Sequence, residues 1–124
     1  MSDYIIKIEP NHRPRLVECD DLTLEYMQTM VEGDVEVTDA CRDLQYKYPH
    51  LKTASNADGK FFGLEGNLVA SILHSVAQGM IYGPALLIIE EDGERRPMTE
   101  AEATDIRETI EHIFNIEFEE GEEE

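Results

Sequence analysis

A run of five consecutive apolar residues, 85–89, constrains the fold of this chain most strongly. A strand with one face in water alternates apolar and polar side chains, whereas a strand covered on both faces does not. The run follows Gly83 and Pro84 and ends at a turn formed by residues 91–94. It predicts a central β-strand with packed layers on both sides, and we expect Leu86 and Ile88 to lie in it.

Three shorter segments complete the predicted sheet. Residues 4–8 form a β-branched strand that ends before a proline, and residues 15–19 would pair back with it as a hairpin. Residues 34–38 alternate polar and apolar side chains, which is typical of a half-buried strand. From these segments we expect three further strand residues: Ile6, Ile8 and Val35.

Two helices are predicted from apolar residues at helical spacing, one over residues 22–31 and one over residues 66–78. Asp20 and Asp21 offer an N-cap to the first helix, because an Asp carboxylate accepts the free N–H groups of a first turn. A third helix follows Thr99, whose side chain would form a capping box with Glu102. The expected buried helix positions are Leu24, Met27, Ile72, Val76, Ile106 and Ile110.

These elements predict an α+β fold with one domain over residues 1–116. The expected sheet is mixed or antiparallel, with four to five strands, and three helices pack against it. Residues 40–54 are predicted as a loop that could hold a short strand. Residues 117–124 are strongly acidic, and mutual repulsion predicts a disordered tail.

Charge restricts the partners of the chain. There are 28 acidic residues against 10 basic ones, a formal net charge of −18, and residues 90–124 hold 15 acidic and 3 basic residues, a net of −12. Such a surface repels nucleic acids and anionic membranes and attracts basic proteins. The alternative is that the acidity only keeps the protein soluble. The expected partner-binding acids are Glu90, Glu91, Asp92, Glu100, Asp105, Glu108 and Glu111.

Catalytic patterns are absent from the sequence. None of the four histidines lies in a metal-binding spacing, and the two cysteines, Cys19 and Cys41, are too far apart for a CxxC unit. We therefore expect two buried thiols, no metal, no cofactor and no enzymatic activity. The first residues lack a basic region followed by an apolar stretch, so we expect no signal peptide and a cytoplasmic protein.

Residues 56–67 are the best candidate for a small-molecule site, because turn residues, aromatic side chains and polar side chains lie close together there. The alternative interpretation is a tight turn whose aromatics, Phe61 and Phe62, enter the core. The candidate ligand-binding residues are Asn56, Asp58, Lys60 and Asn67.

Three segments together resemble the DUF3846 family, which is common in phages and mobile elements of gut and other Gram-positive bacteria. Residues 24–37 are similar to the family's helix, which ends in Val-Gly-Gly before an Ile-Glu-Val strand. Residues 56–70 are similar to its Asn-x-x-Gly-Lys-x-x-Gly-Leu-x-x-Asn-x-x-Ala pattern, and residues 81–88 to its strand after a glycine. This chain departs from the family at Glu32, where a second glycine is usual. The resemblance implies a mobile-element context but no activity.

Three functions are compatible with these features. The first is a non-enzymatic accessory protein that binds a basic host protein, such as a DNA-mimic inhibitor of a restriction or CRISPR defence system. The second is a small-ligand-binding, sponge-like domain that uses residues 56–67. The third is a structural accessory domain whose acidity is incidental.

Overall fold

The computed structural model describes residues 2–75 and 79–119. Within them the chain forms six strands and four helices in an α+β fold, which confirms the predicted class. The strands are β1 (Tyr4–Ile8), β2 (Arg15–Glu18), β3 (Val35–Asp39), β4 (Leu51–Asn56), β5 (Ala85–Glu91) and β6 (Glu94–Arg96). The helices are α1 (Leu24–Val31), α2 (Arg42–Lys47), α3 (Leu68–Leu73) and α4 (Glu100–Phe114).

All strand pairs are antiparallel, in the order β2-β1-β5-β4-β3, and β6 pairs with the end of β5. The sheet has more strands than the four to five expected, and a fourth helix is present. Most of the difference comes from residues 40–54, which were predicted as a loop with a possible short strand and hold α2 and the start of β4. Their pattern was misleading because β4 buries polar side chains, so that apolar and polar residues do not alternate along it.

The prediction for β5 is confirmed. Leu86 and Ile88 pack with Met27 and Val31 of α1 on one face of the sheet. On the other face the adjacent β5 side chains join a core formed with α2, α3 and α4. The sheet is therefore the middle of three layers, which explains why its central strand is apolar throughout.

Helix α1 begins later than predicted. Its N-cap is Thr23, whose hydroxyl accepts a hydrogen bond from the Tyr26 N–H at 3.0 Å, and not Asp20 or Asp21. Leu24 is then the first helical residue and is 54% exposed, so its predicted burial is wrong. Met27 is buried as expected.

The end of α1 has a left-handed residue that is not glycine. Glu32 has a φ of 67°, and the Gly33 N–H binds the Gln28 carbonyl at 3.0 Å. Beside them the Asn56 side-chain amide donates to the carbonyls of Val31 and Glu32, both at 3.1 Å. This amide joins the end of α1 to β4.

We expect Glu32→Gly to raise the free energy of unfolding by about 0.5–1 kcal/mol, because glycine adopts the left-handed conformation without the Cβ clash. The change also removes a carboxylate from the negative end of the helix dipole. Gly33→Ala should lower the free energy of unfolding by about 1–2 kcal/mol through overpacking, because the added Cβ would lie 2.6 Å from the Asn56 Nδ2 atom. Urea unfolding of the two variants measures both changes, and a Glu32→Gly protein less stable than wild type contradicts the explanation.

Helix α3 is shorter than the predicted helix over residues 66–78. Asn67 caps it, and the chain leaves it at His74, which forms a bridge with Ala40. Its buried residues are Ala70 and Leu73, whereas Ile72 is 43% exposed, so the predicted burial of Ile72 is wrong. The side of α3 that faces the core carries Ala70 and Leu73, and the side with Leu68 and Ile72 faces outward. Val76, also predicted to be buried, lies outside the described residues.

Helix α4 agrees with its prediction. The Thr99 hydroxyl and the Glu102 carboxylate form the capping box, and Ile106 and Ile110 are buried. Phe118 is also buried, and the Glu119 N–H donates to the Pro14 carbonyl at 2.8 Å. The tail boundary expected at residue 117 thus falls within packed structure, and residues 120–124 lie outside the described part of the chain.

Both cysteines are buried free thiols, as predicted. Burial raises the pKa of each thiol above its ordinary value. None of the described helices combines the length and the apolar character needed to cross a membrane.

Candidate functional site

Three of the predicted partner-binding acids lie together on the outer face of α4. Glu100, Asp105 and Glu108 are exposed and line one shallow groove. The Asp105 carboxylate accepts a hydrogen bond from the Tyr48 hydroxyl at 2.5 Å, which holds it against the end of α2. These side chains belong to a packed helix, so their arrangement exists before any partner arrives.

The structure places the other four predicted acids differently. Three of them are paired with arginine: Glu90 with Arg95 at 3.1 Å, Glu91 with Arg96 at 3.0 Å, and Glu111 with Arg107 at 3.3 Å. The fourth, Asp92, is exposed at the turn between β5 and β6. A paired carboxylate offers less charge to a partner than an unpaired one. In the groove on α4, Asp105 is paired with Lys47 at 3.8 Å, whereas Glu100 and Glu108 form no ion pair with a described residue, so these two make the groove the stronger part of the predicted surface.

Basic side chains are almost all neutralised within the molecule. Eight of the ten form ion pairs with acids: Lys7, Arg13, Arg15, Lys47, Lys52, Arg95, Arg96 and Arg107. The remaining two, Arg42 and Lys60, are exposed and form no ion pair with a described acid. The charge that the protein presents to a partner is therefore overwhelmingly negative.

A second acidic surface was missed in the sequence. Residues 16–41 contain eight acidic residues and no lysine or arginine. All eight are exposed around α1 and β3: Glu18, Asp20, Asp21, Glu25, Glu32, Asp34, Glu36 and Asp39. The signal was the complete lack of basic residues over this stretch, which the larger charge of the C-terminal region obscured.

Arg96 connects the β5–β6 hairpin to α4. Its guanidinium donates two hydrogen bonds to the Glu102 carboxylate, at 2.8 and 3.0 Å, and also bonds to Glu91. The hydrogen bonds from Arg96 outweigh the opposing effect of burial and lower the pKa of Glu102 to about 2. Glu102 also accepts from the Thr99 N–H at 2.9 Å, so one side chain caps α4 and holds the hairpin.

We expect Glu102→Gln to lower stability by about 1 kcal/mol at neutral pH, a value kept small because solvent screens both partners. Glutamine retains the cap and loses the charge. Because the folded-state pKa is depressed, the stabilisation is present above the ordinary pKa of 4.5 and is lost as pH falls toward about 2. The difference in unfolding free energy between wild type and variant should shrink over that window. Glu108→Gln, at an exposed acid, is the control, and a difference independent of pH contradicts the assignment.

The two asparagines proposed as ligand contacts are used by the fold. The Asn67 amide donates to the carbonyls of Ile8 and Gly83, both at 2.9 Å, and its oxygen accepts from the Ala70 N–H. Asn56 donates to the end of α1 and accepts from the Asp58 N–H at 2.8 Å. Both are buried, so neither has a free polar group for a ligand.

The other two residues proposed there, Asp58 and Lys60, are exposed on the loop between β4 and α3. Lys60 borders a cleft of about 130 Å³ between this loop and the β3–β4 end of the sheet. The buried His74 forms one wall: its Nε2–H donates to the Gly79 carbonyl at 2.5 Å, and its Nδ1 lies 3.4 Å from the Thr38 hydroxyl. The sequence did not indicate this cleft, because its walls come from separate segments.

The aromatics of the same loop do not enter the core. Phe61 is 84% exposed and Phe62 67% exposed, and their rings meet edge to face with centroids 5.2 Å apart. The backbone holds them in place, because the Phe62 N–H bonds to the Asp58 carbonyl at 3.0 Å and the Gly63 N–H to Lys60 at 3.1 Å. The interpretation of this loop as a tight turn with core aromatics is therefore wrong for the aromatics, because the turn directs both side chains outward.

The model of one family, described as a domain of unknown function (DUF3846), matches residues 1–111. The chain belongs to the DUF3846 family. No curated protein and no solved structure matches it. The α4 groove and the cleft beside His74 both lie within the part of the chain that the DUF3846 model covers.

The segment with the most specific DUF3846 resemblance, residues 56–70, has a structural explanation. Asn56 and Asn67 satisfy backbone groups, and a Cβ on Gly59 would lie only 2.3 Å from the Tyr82 carbonyl oxygen. Gly63 has a φ of +74°, which a side chain would strain. These residues shape the loop, and the loop in turn forms the border of the cleft. Within residues 2–75 and 79–119, no group of three His, Cys, Asp or Glu side chains could hold a metal ion.

Proposed function

We propose that this DUF3846 protein is a non-enzymatic binding protein whose acidic α4 groove docks on a basic surface of a protein partner. A surface that normally holds nucleic acid fits best, because the same positive charge that binds phosphates attracts carboxylates. In the phage or mobile-element context of the family, the partner would be a bacterial nuclease of a restriction or CRISPR system, and the protein a DNA mimic acting in the host cytoplasm.

The excess of unneutralised acid is the observation that carries this proposal. Eight of ten basic side chains are already paired inside the molecule, so the net charge of −18 is displayed outward. An acidic residue needed only for solubility has no reason to lie in a shared groove, whereas Glu100, Asp105 and Glu108 line one.

The rigidity of α4 favours the groove over the C-terminal residues as the contact. At about 1.5 Å per residue, Glu100 and Glu108 lie about 12 Å apart along the helix axis. The capping box and the buried Ile106 and Ile110 fix that spacing. Binding through such side chains orders few new degrees of freedom and so costs little conformational entropy.

The experiment is a capture from a lysate of a Gram-positive bacterium at low and high salt. In the α4 variant, Glu100→Gln, Asp105→Asn and Glu108→Gln are combined. A matched control, Glu18→Gln, Asp20→Asn and Glu25→Gln, removes the same charge near α1. We expect wild type and control to retain a basic nucleic-acid-binding protein that salt releases, and the α4 variant to bind it about tenfold more weakly, from three exposed ion pairs.

Two outcomes contradict the proposal. If the control loses as much binding as the α4 variant, the attraction depends on net charge and not on the groove. If all three proteins bind equally, or no basic protein is retained, the acidity serves solubility. A chain truncated after Glu119 keeps the Glu119–Pro14 hydrogen bond and should bind like wild type.

A further inference from the structure

The face of the sheet beneath α2, α3 and α4 is polar at one corner. Strand register places Glu36 opposite Ser55 and Thr38 opposite Thr53, and residues directly opposite share a face. On the same face the middle of β1 and β5 is apolar and carries Ile6, Ile8, Ala85, Leu87 and Ile89. At the β3–β4 corner, polar residues thus stand next to these core positions.

Two hydroxyl groups in this corner form no hydrogen bond with a described residue, and that of Thr53 is fully buried. Thr53 is fully buried and its hydroxyl makes no hydrogen bond. Ser55 is 5% exposed, lines the cleft, and likewise makes no side-chain hydrogen bond to any described residue. Thr53 does not line the cleft, so Ser55 is the residue that offers a free hydroxyl to a molecule in it.

The cleft has one acidic and one basic wall residue. Glu36 projects from β3 and Lys60 from the loop after β4, and neither forms an ion pair with a described residue. His74 uses both ring nitrogens within the fold and so shapes the wall. A ligand that carries both charges would find a partner for each.

We propose that this cleft binds a small zwitterion of the free α-amino acid class. The ammonium group pairs with Glu36, and the carboxylate pairs with Lys60 and accepts from the Ser55 hydroxyl. A simple anion is disfavoured by the net charge of −18. The cleft is small, about 130 Å³, so we choose small amino acids as probes: glycine, alanine and serine. This site is separate from the α4 groove and does not depend on the proposed function.

Isothermal titration of the full chain with glycine, L-alanine and L-serine tests the proposal. Propionate and propylamine, each with one of the two charges, are the matched probes. We expect at least one amino acid to bind with a Kd below about 1 mM, and both single-charge probes to bind at least about tenfold more weakly. Absence of amino-acid binding, or equally tight propionate binding, overturns the proposal.

Variants locate the binding. Glu36→Gln and Lys60→Met alter exposed residues, so we expect the fold to persist and amino-acid affinity to fall about tenfold or more. Their controls, Glu25→Gln and Arg42→Met, remove exposed charges outside the cleft and should retain wild-type affinity. Ser55→Ala separates ligand binding from folding: it should weaken binding without lowering the melting temperature, because the hydroxyl has no partner in the fold. Wild-type affinity in all three cleft variants shows that binding occurs elsewhere and overturns the assignment.

Discussion

Asn67→Ala is expected to destabilise the protein by about 3–5 kcal/mol, because it leaves three backbone groups unpaired at about 1–3 kcal/mol each. The asparagine is 1% exposed and joins the Ile8 and Gly83 carbonyls to the first turn of α3 through the Ala70 N–H. No solvent reaches these groups readily. A loss of this size approaches the whole stability of many small domains, which is about 5–15 kcal/mol.

Two comparisons separate the roles of the Asn67 amide. Thr23→Ala removes the exposed cap of α1, a single hydrogen bond, and should cost only about 1 kcal/mol. Asn67→Asp keeps the acceptor but turns a carboxylate toward two carbonyl oxygens, so it should be as harmful as alanine at neutral pH. Urea unfolding measures the free energy of unfolding of all three variants: Asn67→Ala, Asn67→Asp and Thr23→Ala. A loss for Asn67→Ala no greater than that for Thr23→Ala contradicts the central role of the amide.

Leu86→Ala and Leu87→Ala should each lower the free energy of unfolding by about 3 kcal/mol, the usual cost of deleting a buried leucine side chain. The two residues are adjacent on β5 and point to opposite faces. Leu86 belongs to the core beneath α1, and Leu87 to the core beneath the other helices. Equal losses are expected only if both faces are covered.

Leu68→Ala is the control for this pair, because Leu68 is 65% exposed and its truncation should change stability by less than about 0.5 kcal/mol. Thermal or urea unfolding measures all three variants. If Leu86→Ala or Leu87→Ala changes the free energy of unfolding as little as Leu68→Ala does, the corresponding face of the sheet is open and the three-layer arrangement is wrong.

The sequence predicted well those elements whose cause is local or repetitive. The apolar run of β5 and the Thr99–Glu102 capping box each determine structure from a few neighbouring residues, and both are confirmed. It failed where tertiary contacts override local pattern. β4 carries Thr53 and Ser55 on a buried face, which no alternation rule anticipates.

The candidate sites show the same limit. Charge counts located the acids on α4, but the neutralisation of Glu90 and Glu91 depends on Arg95 and Arg96 across the β5–β6 turn. Composition predicted a ligand-binding loop at residues 56–67. The side chains of Asn56 and Asn67 instead form hydrogen bonds with backbone groups that are distant in sequence. The cleft instead combines residues from β3, β4 and the segment around His74, and only the folded chain brings them together.

The position of β5 also determines when the protein can fold during synthesis. In the sheet, the β1–β2 hairpin is joined to the β3–β4 strand pair only through β5, which pairs with β1 on one side and β4 on the other. The pairing of β1 with β5 closes a loop that includes every residue between these two strands. Closing so long a loop is slow, as in other folds with many contacts between residues distant in sequence. A ribosome must therefore release most of the chain before the sheet can close. Until then both strand pairs expose unpaired edges. Mutations that delay the docking of β5 should therefore lower the soluble yield in cells before they lower the stability of the purified protein.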